Sequence, residues 1–292
     1  PDSRLGNLVL IEPLLRSLAE RFPRAHLALL ASDRFSDVLA GREWEIIRAE
    51  KASMARNPLM FVRFAARLRS RGFEAAVDAS HPFSFSLSGA VSAALCGARA
   101  RIGFPSTGWG AWHTHLAPMP SRGNHESRSL HSLGSVWSDW PAWSRPWLDP
   151  GPVRERRGIV GIHVGASRGK AYPEDKLSLL CRLLAGTAPV EIYWGTGDER
   201  RLAARVATGG CEIAPRPEVL DLASRLARLS VLVTPDNGPM HVASAAGVPV
   251  VALFRIADHA RFAPLSDGSE VLFDPAGPAP ELALEAVRRI LG

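Results

Sequence analysis

Apolar positions recur along this chain in two alternating rhythms. Leu14, Leu15, Leu18, Ala19 and Phe22 fall on one face at helical spacing and predict a helix over Leu8–Phe22. Short continuous apolar runs predict strands over Ala25–Ala31 and Glu45–Ala49. A helix over Pro58–Arg71, a strand over Ala75–Ala79, a small-residue helix over Ser84–Cys96 and a strand over Arg99–Phe104 follow. The segment Trp137–Arg157 is rich in Pro, Trp and Arg, lacks periodicity, and reads as a connection between domains. The alternation then restarts with a strand over Ile159–Val164, a helix to about Ala185, a strand over Val190–Trp194 and a helix from Asp198. A last helix over Pro280–Leu291 is expected to pack at the hinge between domains or to cross back. Strands alternating with helices imply an α/β fold with doubly wound parallel sheets, here in two domains, 1–145 and 146–292.

One segment carries more chemistry than pattern. Val231–Phe254 reads as an apolar strand, a polar turn holding Asp236, Asn237 and Gly238, a short helix from near Met240, and a second apolar strand. Such a unit brings backbone N–H groups and the positive end of a helix dipole to the carboxyl edge of a parallel sheet, where proteins grip diphosphates. An ordinary crossover has the same pattern. A second strand-to-helix loop, Gly165-Ala166-Ser167-Arg168-Gly169-Lys170, precedes a helix starting at Tyr172-Pro173. A lysine there can neutralise a departing diphosphate, although a surface lysine has the same appearance. Asp198 and Glu199 open a helix whose positive end they would stabilise.

Bulk composition narrows the class. The chain has 292 residues, 46% hydrophobic and 22% charged, which is globular and long enough for two cores. No apolar run is long enough to cross a bilayer and no signal peptide precedes the first helix, so a cytoplasmic location is expected. Cys96, Cys181 and Cys211 lack metal-ligand spacing and read as reduced thiols. The formal charge of +6 favours anionic partners such as nucleotides, phosphorylated sugars or acidic membranes. Nucleic acid is excluded because the basic residues are dispersed and no base-reading motif occurs. The densest basic cluster, Arg56, Arg63, Arg67, Arg69 and Arg71, is a solvated helix face or a site for an anionic acceptor, with Arg56, Arg63 and Arg67 the candidates. Trp109, Trp112, Trp137, Trp140, Trp143 and Trp147 could meet sugar rings or interfacial lipid, but packing around the hinge is the stronger expectation. No Asp-x-Asp pair is present to hold a metal on a diphosphate.

Asp236-x-Gly238-Pro239-Met240-His241, with Gly247-x-Pro249 and the strand to Phe254, resembles the donor-site signature of glycosyltransferase family 9, the bacterial heptosyltransferases. Arg4-Leu5-Gly6-Asn7, Pro13-Leu14-Leu15 and Glu20-Arg21-Phe22-Pro23 are similar to that family's first loop and helix. Arg101-Ile102-Gly103-Phe104, His125-Glu126 and Leu133-Gly134 are similar to its middle region. The resemblance implies a GT-B architecture, two Rossmann-like domains facing across a cleft, the first binding acceptor and the second nucleotide-sugar. It implies inverting, metal-independent transfer of a heptose or related sugar from an ADP-sugar to a saccharide, usually lipopolysaccharide core, with no cofactor and with a peripheral contact to the inner membrane. By the same resemblance, Ser167 and Lys170 would contact donor phosphates and Glu199 the ribose. Asp236 would orient its turn or touch the sugar, with Asn237 beside it; Gly238 would admit phosphate to the backbone, and His241 would reach phosphate or the adenine side.

The sequence departs from the family in three places. Asn7 stands where the family has its general-base Asp, and an amide can orient a hydroxyl but cannot take its proton. Asp2 and Glu12 are nearby carboxylates, expected to be solvated turn or helix residues. Arg255 replaces the usual Gly, with Asp258 and His259 in the segment that closes over the donor sugar. The strand that opens the family's sheet is missing before Pro1, so upstream residues are expected. Two alternatives stay open: a nucleotide- or sugar-binding relative without transfer activity, acting as a regulatory or assembly subunit, and an enzyme that modifies a different acceptor.

Overall fold

The computed structural model describes residues 4–32, 35–49, 56–84, 86–106, 112–152, 158–167 and 169–292. It divides into two compact units, Pro1–Ser144 and Arg145–Gly292.

The first unit opens with α1 (Leu5–Leu10) and α2 (Glu12–Arg21). One helix over Leu8–Phe22 was expected; the chain instead turns helical already at Leu5 and breaks at Ile11. Pro13 is the cause: it has no N–H for the Val9 carbonyl, and its ring crowds that carbonyl. Helical bonding resumes from Ile11, whose carbonyl accepts from Leu14 N and Leu15 N. Next come β1 (Leu27–Ser32) and β2 (Trp44–Ala49), paired in parallel, then α3 (Pro58–Arg69). The Asn57 side chain starts α3 by accepting from Leu59 N at 3.0 Å. β3 (Ala75–Val77), α4 (Leu87–Leu95), β4 (Ala100–Gly103) and β5 (His115–Leu116) build a second parallel sheet in the order 3-4-5. α5 (Glu126–His131) runs into a 3-10 turn over Ser132–Val136.

Apolar clusters fill this unit. Leu14, Ile102, Phe104, Ala117 and Leu133 form one, with Trp137 and Trp140 packed against it. The Trp140 ring lies where a Cβ on Gly134 would stand, so Gly134 is required by close approach. These two tryptophans therefore pack inside the first unit and not around a hinge. Trp143 stacks under Arg128, with the guanidinium 4.1 Å from its ring centre, while Trp147 is exposed and Trp109 lies outside the described residues. Ile47, Leu68, Cys96 and Ala98 form another.

The second unit is one parallel sheet wrapped by helices. In chain order it holds β6 (Val160–His163), α6 (Glu174–Ala185), β7 (Val190–Tyr193), α7 (Gly197–Val206), β8 (Cys211–Ile213), α8 (Leu222–Leu226) and β9 (Val231–Pro235). α9 (Gly238–Ala245), β10 (Val250–Phe254), α10 (His259–Phe262), β11 (Glu270–Phe273) and α11 (Pro280–Leu291) complete it. Every residue of β6, β9 and β10 is buried, as expected for strands covered on both faces. The strand order is 11-10-9-6-7-8. The chain thus winds outward from β6 through β7 to β8, returns to the other side of β6 at β9, and winds outward again. The topological switch point lies between β6 and β9, where ligands of open α/β sheets bind. α11 does not leave this unit: Ala283, Ala286 and Val287 are fully buried in its core with Leu177, Leu180 and Leu184 of α6. All three cysteines are free, and burial pushes the Cys181 thiol up to about 12. Among the described residues no helix is long and apolar enough to cross a membrane.

Candidate functional site

The loops after β6 and β9 meet at the switch point, and Asn237 fastens them together. It is the N-cap of α9, its Oδ1 accepting from Met240 N at 2.9 Å. Its Nδ2 lies 2.6 Å from the Gly165 carbonyl, 2.9 Å from Thr234 Oγ1 and 3.0 Å from His163 Nδ1. Two N–H groups are shared among three acceptors. Thr234 donates its own hydrogen to the Pro235 carbonyl at 3.0 Å, so its oxygen accepts from Asn237. Of the N–H groups that a helix leaves open at its start, Pro239 has none and Met240 is capped. Those of Asn237 and Gly238 are not taken by any acceptor among the described residues.

His163 was not singled out in the sequence, though a polar residue closing an otherwise apolar strand is the signal it offered. It is buried, and its Nδ1 accepts from Gly165 N at 3.1 Å, which fixes the neutral form protonated on Nε2. Burial pushes its pKa down, partly opposed by the Glu199 carboxylate.

Lys170 is not a free cation. Its Nζ donates to the buried Asp236 carboxylate, stands 3.6 Å from Asp258, and lies 5.3 Å from the centre of the Phe262 ring. Burial raises the Asp236 pKa; the Lys170 bond opposes that shift and the Asp258 charge reinforces it. Asp236, expected to orient its turn or to touch sugar, is thus the resting partner of Lys170. Asp258 Oδ1 is buried without a hydrogen-bond partner. Ser167 is exposed at the loop tip, and Arg168 lies outside the described residues.

Glu199 performs the helix-opening role directly. Its Oε2 accepts from Gly195 N at 2.6 Å and Thr196 N at 3.1 Å, completing a capping box with Thr196. The other oxygen turns over Gly165, so close that a Cβ there would collide with it. His241 is buried on α9, its ring edge-on to Phe262 with centres 6.4 Å apart, and Gly238 is half-buried at the first position of that helix. Arg255 donates to the Ala171 carbonyl at 2.7 Å and the Pro275 carbonyl at 3.1 Å, tying the Lys170 loop to the segment before α11. Its side chain serves packing of these loops.

In the first unit Asn7 is half-buried on α1, not on a loop. Glu12, expected to be solvated, is fully buried. It pairs with Arg42 at 3.3 Å and Arg16 at 3.4 Å. A buried carboxylate needs such partners, and Arg42 comes from thirty residues away, where no local pattern could indicate it. Arg56, Arg63 and Arg67 are exposed on and beside α3, while Arg71 is engaged by Glu45 through two bonds of 2.7 Å. Asp2 lies outside the described residues.

Residues 144–288 match glycosyltransferase family 9 (heptosyltransferase). The chain is 34% identical over 112 residues to lipopolysaccharide heptosyltransferase 1 of Campylobacter coli, a stretch covering 35% of this chain and about a third (32%) of that protein's length. Its fold resembles E. coli heptosyltransferase WaaC with ADP (TM-score 0.83, 15% identity, 99% of this chain and 97% of that one). It also resembles E. coli ADP-heptose lps heptosyltransferase II (TM-score 0.79, 18% identity, 99% and 96%). A family 9 glycosyl transferase from Veillonella parvula gives a TM-score of 0.82 at 15% identity over 98% and 94%. Residues 144–288 thus carry a glycosyltransferase family 9 (heptosyltransferase) match, and the chain has an α/β fold of the GT-B class.

Proposed function

We propose that this protein moves a heptose or related sugar from an ADP-sugar to a saccharide hydroxyl, with lipopolysaccharide core as the acceptor class. One observation carries the reading: Lys170 and the untaken N–H groups of Asn237 and Gly238 converge on the switch point of a six-stranded parallel sheet. In the proposed reaction the acceptor hydroxyl attacks the anomeric carbon and the bond from that carbon to the diphosphate oxygen breaks. ADP departs with the electron pair, and the hydroxyl proton is lost to solvent or a base. Lys170 and the two amides stabilise the departing charge without a metal ion, Ser167 adds a hydroxyl to a phosphate oxygen, and His241 lines the same helix. The Glu199 oxygen that is free of the capping box holds the ribose. The Arg145–Gly292 unit takes the donor and the Pro1–Ser144 unit the acceptor, with Arg56, Arg63 and Arg67 toward its anionic groups.

A second reading, a binding subunit without transfer activity, is favoured by one finding. Asn7 cannot act as a base, and Glu12 is committed to two arginines. Two measurements separate the readings. ADP should bind in calorimetry and Lys170→Met should weaken it roughly tenfold or more, the loss of one charge-assisted contact. ADP-heptose with core acceptor should release ADP, and Asn7→Asp should accelerate release. Binding without release from any plausible donor and acceptor establishes the binding subunit; absence of ADP binding rejects both.

A further inference from the structure

One ionisable cluster of the first unit has no part in the proposed transfer. Asp78 directly follows β3, and its N–H donates to the Ile102 carbonyl at 2.8 Å, which sets it at the carboxyl end of the β3–β4 pair. Its Oδ2 lies 3.2 Å from His113 Nε2, and its Oδ1 accepts from Ser80 Oγ at 2.5 Å and Ser80 N at 3.2 Å. Both side chains are buried, His113 4% exposed and Asp78 7%. Ligands of open α/β sheets bind at such carboxyl ends.

Two glycines make room for this pair. A Cβ at Gly103, the last residue of β4, would collide with the His113 ring, and one at Gly89, in the first turn of α4, with the Asp78 and Ser80 oxygens. Neither glycine has a left-handed backbone, so the close approach of the cluster is what requires them. The pair is nevertheless left incomplete. With the carboxylate accepting from Nε2–H, the neutral ring keeps its lone pair on Nδ1. That nitrogen is buried and has no hydrogen-bond partner among the described residues. Buried polar atoms without partners are rare, and a catalytic role is one cause. The structural imidazole of His131, by contrast, meets Ser17 at one nitrogen and Trp140 at the other.

We propose that His113 is the base of the transfer reaction, with Asp78 its positioning residue. The inference rests on that reaction and supplies the proton acceptor that Asn7 cannot be. The acceptor hydroxyl gives its proton to Nδ1 as its oxygen bonds the anomeric carbon. The bond from that carbon to the diphosphate oxygen breaks, and ADP leaves with the electron pair. The Asp78 carboxylate stabilises the imidazolium so formed, which later returns its proton to solvent. Ser80 holds the other carboxylate oxygen, so Oδ2 stays directed at Nε2. Burial keeps bulk water from the lone pair until an acceptor hydroxyl displaces what covers it. Besides Asp78, the elements around His113 bring Arg101 on β4, whose guanidinium donates to the Trp112 and Ala98 carbonyls, and His115 on β5, bonded to Thr114; α4 carries no ionisable residue.

The test is the pH profile of kcat for ADP release, with ADP-heptose and core acceptor both saturating. Wild-type kcat should fall as the pH drops from about 8 to about 5, the range in which imidazoles gain a proton. His113→Gln should lower kcat roughly 100-fold or more and flatten that acid limb. Asp78→Asn should lower kcat about tenfold or more and move the limb to lower pH, because the imidazolium loses its carboxylate. ADP affinity should stay at the wild-type value in both variants, since Lys170 and Asn237 belong to the other unit. A structural role alone would lower the melting temperature and leave the limb where it is. A flat wild-type profile overturns the proposal whether or not the variants fold. So does a folded His113→Gln that keeps the limb. A wild-type chain that binds ADP but releases none removes the transfer reading and the base with it, whereas release with an unmoved limb in both variants removes the base alone.

Discussion

Replacing Asn237 with alanine removes one side chain that joins two loops and caps a helix. Loss of the cap on Met240 N costs about 1 kcal/mol. The Gly165 carbonyl and Thr234 Oγ1, both within 2.9 Å of Nδ2, lose their donor in a region where water has little access, at about 1 kcal/mol or more each. The sum is about 3 kcal/mol, which in a unit of about 150 residues lowers Tm by roughly 6–12 °C. Asn237→Ser separates the contributions, because a serine at the N-cap still accepts from Met240 N but cannot span to Gly165. It should recover about 1 kcal/mol of stability and little of the ADP affinity, since the β6 and β9 loops stay unfastened. Calorimetric melting with parallel ADP titration reads both quantities. If Asn237→Ala melts within about 2 °C of wild type, the clamp is not what holds the switch point together, and the reasoning fails.

Other expectations follow from the same geometry. The buried His131 imidazole is held at about 4 by burial and by the charges of Arg128 and Arg16, while the unfolded chain takes up that proton at its ordinary value near 6.5. Stability should therefore rise with pH between about 4 and 6.5, by on the order of 2–3 kcal/mol from this group, and stay level above; urea unfolding of His131→Gln at pH 4.5 and 7 should show a correspondingly smaller gain, and an equal gain refutes the assignment. Gly165→Ala drives a Cβ into the Glu199 carboxylate and should cost about 1–2 kcal/mol by pulling Oε2 from Gly195 N and Thr196 N, with weaker ADP binding; an unchanged melt contradicts this. Asp258→Asn removes one of two carboxylates beside Lys170 and should tighten ADP about fivefold at low salt, after allowing for the partial exposure of the aspartate. Unchanged or weaker ADP binding in calorimetry would show that Asp258 does not set the charge there.

Some of this architecture was legible in residue order, for reasons that differ by element. Strands β6, β9 and β10 are buried throughout, and β7 is so except at Glu191; all four are mostly apolar runs between turn-forming residues, so composition marks them. The edge strands β8 and β11 were not, because each pairs on one side only and is interrupted by exposed positions, Glu212 in β8 and Val271 and Phe273 in β11. The two-residue β5 leaves no periodic trace. Asn237 could be read as a turn residue before a helix, yet its bonds to Gly165 and His163 join positions more than seventy apart. The Lys170–Asp236 pair and the burial of Glu12 are equally non-local. Sequence pattern identifies which loops lie at a sheet edge, but which side chains meet there is decided by strand order.

The charge balance at that edge bears on what the site can select. Lys170 carries one positive charge against the carboxylates of Asp236 and Asp258, so the resting cluster is already compensated. An ammonium this close to a buried carboxylate is stable without a ligand, because each offsets the desolvation of the other. A neutral ligand offers Lys170 nothing better than Asp236. A diphosphate does, since it presents more charge and several oxygens, and the N–H groups of Asn237 and Gly238 with the α9 dipole already point where it would sit. When Lys170 exchanges partners, Asp236 is left buried beside added negative charge. Its raised pKa is what makes that tolerable, because protonation relieves the repulsion at modest cost. ADP binding should therefore take up protons, and affinity should fall as pH rises through the range in which Asp236 ionises.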